Sequence, residues 1–121
     1  MKLRQRQIVE VPFRLPPDGK VLNHPCIIIS NEDINEEEQA FVGVMITSEK
    51  HYKGDNYSFE LTPIMLTKPM DKDFSAVRLH LVSLFLKRDI ITNRNAGNEI
   101  RKSHFERLLS QINSVVFDTD L

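Results

Sequence analysis

Apolar residues in this chain come in short runs separated by polar and proline-rich stretches. Ile8, Val9, Val11 and Phe13, interrupted by Pro12 and followed by Pro16-Pro17-Asp18-Gly19, predict a strand that runs into an exposed turn. Cys26-Ile27-Ile28-Ile29 is too short for a helix and too continuous for a half-exposed strand. It predicts a strand buried on both faces. Glu32-Asp33-Ile34-Asn35-Glu36-Glu37-Glu38 holds five carboxylates and no cation, which predicts a solvated connection. Phe41 to Thr47 is again apolar and β-branched, and Gly43 within it predicts a bulge or a close backbone approach.

Tyr57, Phe59 and Leu61 alternate with Ser58 and Glu60, predicting a half-exposed strand after the loop Lys53-Gly54-Asp55-Asn56, in a hairpin with the strand before it. The stretch between Pro63 and Pro69 yields no assignment. Ala76 to Leu86 reads as a strand in which Arg78 and His80, two apart, project from one face while Val77, Leu79 and Leu81 project from the other. Phe105, Leu108, Leu109, Ile112, Val115 and Val116 then recur at helical spacing, with Ser103 and Glu106 placed for a capping box at the helix start. Short strands followed by one amphipathic C-terminal helix predict an α+β fold, a small β-barrel packed on a helix.

Composition narrows the class. The chain has 121 residues, 40% of them hydrophobic, and its 16 Lys+Arg nearly balance 17 Asp+Glu, which suits a single domain over residues 1–121 with a near-neutral surface. Cys26 is the only cysteine, so neither an internal disulfide nor a CxxC metal knuckle is available. No apolar run approaches the roughly 18 residues of a membrane span, and Met1 to Gln7 lack a signal-peptide core, so a cytoplasmic protein without membrane attachment is expected. The histidines at 24, 51, 80 and 104 show no short ligand spacing, and no metal site or cofactor is expected from them. Residues 78–107 carry seven cations (Arg78, Lys87, Arg88, Arg94, Arg101, Lys102, Arg107) and three anions, an excess of four that suits RNA or an acidic peptide.

Three segments, taken in order, resemble the MazF/PemK family of toxin endoribonucleases. Gln7 to Phe13 followed by His24-Pro25-Cys26-Ile27-Ile28-Ile29-Ser30-Asn31 is similar to the family's opening strand and its Arg-Pro-hydrophobic-Ser-Asn strand. Ile46-Thr47-Ser48 resembles the family's Thr-Ser pair, and Val77-Arg78-Leu79-His80 resembles a Val-Arg-x-Asp segment. The departures are Arg6-Gln7 where the family has Gly, His24 where it has Arg, and His80 where it has Asp. The resemblance implies an SH3-like antiparallel barrel with a terminal helix, a homodimer, and a cognate antitoxin whose acidic, flexible tail lies in the substrate groove. It also implies sequence-selective, metal-independent cleavage of single-stranded RNA, in which the ribose 2′-hydroxyl attacks phosphorus to leave a 2′,3′-cyclic phosphate and a 5′-hydroxyl.

That chemistry needs a base for the 2′-hydroxyl, a donor for the leaving 5′-oxygen and positive charge against the oxyanion. His80 suits the base, since an imidazole with a pKa near 6.5 is largely neutral at pH 7. Arg78 suits charge stabilisation. His24 is a candidate acid, Thr47 a catalytic hydroxyl, and Ser48, Tyr57, Asn56 and His51 candidate RNA contacts. Each also has a plain reading: His80 as a surface strand residue, His-Pro and Thr-Ser as turn chemistry, Tyr57 as a cross-strand packing partner. A barrel that binds nucleic acid or a peptide without cleaving anything is the alternative function.

Overall fold

The computed structural model of the chain describes residues 2–15, 19–91 and 95–118. The turn expected at Pro16-Pro17-Asp18 and Arg94 of the basic excess lie outside these residues. Five strands, β1 (Ile8–Leu15), β2 (Lys20–Ile28), β3 (Ala40–Thr47), β4 (Ser58–Glu60) and β5 (Ala76–Leu86), form one antiparallel sheet in the order β1-β2-β3-β5-β4. A short helix α1 (Glu32–Glu37) joins β2 to β3, and the long helix α2 (Lys102–Ile112) follows the sheet. The expected strands-plus-helix α+β architecture is therefore present, with the sheet open rather than closed into a full barrel.

Alternation explains why the strands are apolar on both faces. Ile8, Ile27, Val44, Ile46, Val77 and Leu79 pack with Phe105, Leu108 and Ile112 of α2. Their sequence neighbours Val9, Cys26, Ile28 and Met45 join Val11, Phe13, Phe41 and Phe85 in a second core. Gly43 lies between these layers: a Cβ there would stand 2.9 Å from Cys26 Sγ and 3.4 Å from both Ile27 O and Phe85 Cδ2, so the close approach expected from the sequence is real. Among the described residues no helix is long and apolar enough to cross a membrane.

Several local expectations are corrected. The acidic stretch is helical. Asn31 caps it by accepting from the Ile34 amide at 3.0 Å, Glu32 and Asp33 sit in the first turn where the helix dipole favours anions, and buried Asn35 is tied to Ser30. The capping box at Ser103 does not form. α2 starts two residues earlier, with Arg101 at the cap and no side-chain cap bond, and the Arg101 amide is bonded to Met65 O at 2.8 Å. β4 makes no hairpin with β3, since β5 lies between them and pairs with both. The first two strands are also longer than the apolar runs: they pair from Ile8 with Ile27 out to Leu15 with Lys20. Pro12 is tolerated because β1 lies at the sheet edge.

Candidate active site

β5 carries Arg78 into a side-chain cluster that the sequence did not foretell. Against β3 its register slips: Val44 pairs with Val82 and Ile46 with Val77, so one residue on β3, Met45, stands against four on β5, residues 78–81. Strict alternation is lost across residues 78–81. Arg78 is buried and His80 is exposed, so the two candidate residues differ in solvent access.

The Arg78 guanidinium donates from Nη1 to Asp55 Oδ1 at 2.9 Å and to Ser58 Oγ at 2.8 Å, and it lies 4.0 Å from the centre of the Tyr52 ring. Ser58 is its direct cross-strand partner. Asp55 Oδ1 also accepts from the Tyr57 amide at 2.7 Å, an Asx turn that sets the loop before β4. That amide, and next the Arg78 side chain, hold the Asp55 carboxyl below the usual carboxylate range. His80 lies close enough to feel both charges, with its ring 5.2 Å from that of exposed Tyr57. Its pKa is lowered, first by partial burial and then by the Arg78 charge, with Asp55 pulling the other way. Asn56 is exposed on the same turn. His51, exposed in the loop after β3, lies 4.0 Å ring to ring from Tyr52, so the candidate contacts His51, Asn56 and Tyr57 all border the Arg78 cluster.

His24, Thr47 and Ser48 meet elsewhere, in a cleft of about 160 Å³ that opens where β2 parts from β3 beyond Cys26. Thr47 is buried, and its hydroxyl accepts from the Glu49 amide at 3.1 Å, so it is engaged in its own turn. Ser48 is exposed. His24 is half-buried, and its Nε2 is shielded and has no hydrogen-bond partner among the described residues. Burial lowers its pKa, while Glu10, Glu49 and a hydrogen bond with the Ile46 main chain oppose the shift. The sequence-predicted residues thus divide into an arginine cluster and a histidine cleft.

Tyr52, Asp55, Ser58 and Glu10 were missed. A signal existed for Asp55 alone, because Asp two residues before Tyr57 in a Gly-containing loop is Asx-turn chemistry. The other three depend on strand order and on the slipped register.

The family described as "PemK-like, MazF-like toxin of type II toxin-antitoxin system" matches the chain over residues 4–116. Among solved structures, an endoribonuclease from a mycobacterial species superposes with TM-score 0.71 at 13% identity, over 97% of this chain and 93% of that one. A mycobacterial endoribonuclease in complex with its cognate antitoxin gives TM-score 0.65 at 13% identity, over 99% and 97%. A MazE–MazF structure from Deinococcus radiodurans gives 0.70 at 14% identity, over 97% and 98%. No curated protein matches the chain in sequence.

Proposed function

Starting from a chain that belongs to the PemK-like, MazF-like family of toxins of type II toxin–antitoxin systems, we propose that it is a metal-independent endoribonuclease of single-stranded RNA. It acts in the cytoplasm as one domain over residues 1–121, as a homodimer. The observation that carries this reading is an exposed imidazole, His80, set beside a guanidinium that is locked in place by Asp55 and Ser58. A base must be neutral to work, and partial burial together with the Arg78 charge keeps His80 in that form at pH 7. His80 takes the proton of the ribose 2′-hydroxyl. The 2′-oxygen then bonds to the adjacent phosphorus while the bond to the 5′-oxygen breaks.

Arg78 offsets the charge that gathers on the phosphoryl oxygens. Being fixed before substrate arrives, it loses little freedom on binding. Tyr57 offers a ring for a base to stack on, with Asn56, His51 and Ser48 along the rim. The shielded Nε2 of His24 makes that residue a poor acid, so solvent supplies the proton of the leaving 5′-oxygen. Thr47 serves by shaping the turn after β3. The cognate antitoxin covers the Arg78 cluster with an acidic, flexible tail, attracted by the cations of residues 78–107. Two of the similar solved structures are an endoribonuclease in complex with its cognate antitoxin and a MazE–MazF structure.

One observation favours a binding module without catalysis: the Arg78 charge is already matched by Asp55. A cleavage assay on random single-stranded RNA in EDTA decides between the two. The expected products end in a 2′,3′-cyclic phosphate and a 5′-hydroxyl, and His80→Ala lowers the rate at least about 100-fold with its fold intact. Intact RNA after incubation with folded wild-type protein leaves the binding reading.

A further inference from the structure

The cleft at His24 has the wrong charge for a phosphate. Among the described residues Glu10 and Asp71 line it against one ammonium, Lys72, and Glu49 acts on His24 from nearby. A phosphodiester brought here would face two carboxylates against one described ammonium, whereas at Arg78 the one neighbouring carboxylate, Asp55, is matched by the guanidinium. The remaining lining is amide, hydroxyl and apolar, including Asn23, Ser48 and Ile46. Such a surface suits a planar group with hydrogen-bond donors on its edge. The volume, about 160 Å³, is roughly that of five waters, the scale of one purine ring system rather than of a whole nucleotide.

Resting on the nuclease reading above, we propose that this cleft takes one nucleobase of the RNA and that the Glu10 carboxylate selects guanine, accepting from its N1–H and its N2 amine. A carboxylate is acceptor-only with two oxygens. Guanine is the one common base that places two donors side by side on its Watson–Crick edge; adenine, cytosine and uracil each offer one there. Glu10 is built for the task by its backbone. It sits on β1, where its carbonyl accepts from the Ile91 amide at 2.9 Å, while its carboxylate has no hydrogen bond among the described residues. Phosphate recognition and base recognition are thereby separated, the first at Arg78 and the second at Glu10.

The test reads binding, so that it stands apart from cleavage. Fluorescently labelled oligoribonucleotides, made 2′-deoxy at the scissile position to prevent reaction, are titrated by anisotropy with guanine, inosine, adenine, cytosine or uracil at each position in turn. Inosine keeps N1–H and lacks the N2 amine. Wild type is expected to bind guanine at one position about tenfold more tightly than inosine there, and Glu10→Gln, which keeps the side chain's shape, is expected to erase the difference while melting at the wild-type temperature. Equal affinity for guanine and inosine, preference for another base, or full discrimination in Glu10→Gln overturns the assignment. A wild type that binds with this preference but never cuts RNA overturns the nuclease reading and leaves the pocket standing.

Discussion

Nη1 of Arg78 lies 2.9 Å from Oδ1 of Asp55, joining strand β5 to the loop that precedes the edge strand β4. The same carboxylate oxygen holds the Tyr57 amide, so one ion pair sets the place of both Tyr57 and the guanidinium. Function and stability are coupled at this point.

Arg78→Ala is therefore expected to lower stability as well as cleavage, although a strand arginine in a charged run reads as a surface residue. Two charge-assisted hydrogen bonds and the Tyr52 contact are lost, which amounts to about 1–3 kcal/mol. Urea denaturation of the variant should show a lower midpoint, and a midpoint equal to wild type would mean that the loop is held by other contacts.

The lowered pKa values of His80 and His24 give stability a pH dependence of definite sign. An imidazole that binds its proton less readily when folded lets the unfolded chain protonate first. Stability is then complete above about pH 6.5 and falls as the pH drops from there toward the folded-state values. Asp55, held below its usual range, adds a second loss at lower pH, as acidification passes from about 3.9 through its folded-state value. Unfolding midpoints measured from pH 7 to pH 5 should decline, less steeply in His24→Gln and His80→Gln; slopes identical to wild type in both variants would refute the linkage.

His80 itself can be followed by NMR titration of its ring protons. Its midpoint is expected below 6.5 and should move up in Arg78→Gln, where the Arg78 charge is gone and the opposing pull of Asp55 remains. Cleavage by wild type should rise with pH through the same low midpoint. A ring that titrates at the free-imidazole value would separate His80 from Arg78.

Gly43→Ala should destabilise by about 1–3 kcal/mol through overpacking, since the new methyl would press on Cys26 Sγ at 2.9 Å. Shortening the opposing side chain relieves the clash, so the cost of Gly43→Ala is expected to be smaller in a Cys26→Ala background. Strict additivity in a double-mutant cycle would show that Phe85 or the Ile27 carbonyl sets the limit instead.

Arg6 has φ +79°, a left-handed conformation that strains a side chain, yet its amide, carbonyl and guanidinium are bonded to Ile28 O, Ile100 N and Ile100 O. Arg6→Gly relieves the strain, and Arg6→Ala keeps it while losing the side-chain bond. The glycine variant should be more stable than the alanine variant by about 1 kcal/mol in thermal or urea unfolding. The reverse order would show that the positive φ costs nothing here.

The strands, the terminal helix and the double-sided burial at Cys26 to Ile28 were legible in the sequence, because burial repeats with the local period of two or 3.6 residues and every side chain reports its own exposure. The Val-Arg-x-His segment drew attention to Arg78 and His80 for the same local reason. What surrounds them is non-local. Asp55 and Ser58 reach Arg78 only because β5 enters the sheet between β3 and β4, an order that hydrophobic patterning does not encode. The register slip between Val44 and Ile46 is likewise a compromise between two strands and belongs to neither alone. The sequence by itself determined which residues could do chemistry and which faces had to be covered. Only the tertiary structure decided that Arg78 is locked to Asp55, that Nε2 of His24 is shielded and that Glu10 faces a cleft, because charge pairing and solvent access are set by what the rest of the chain packs against each group.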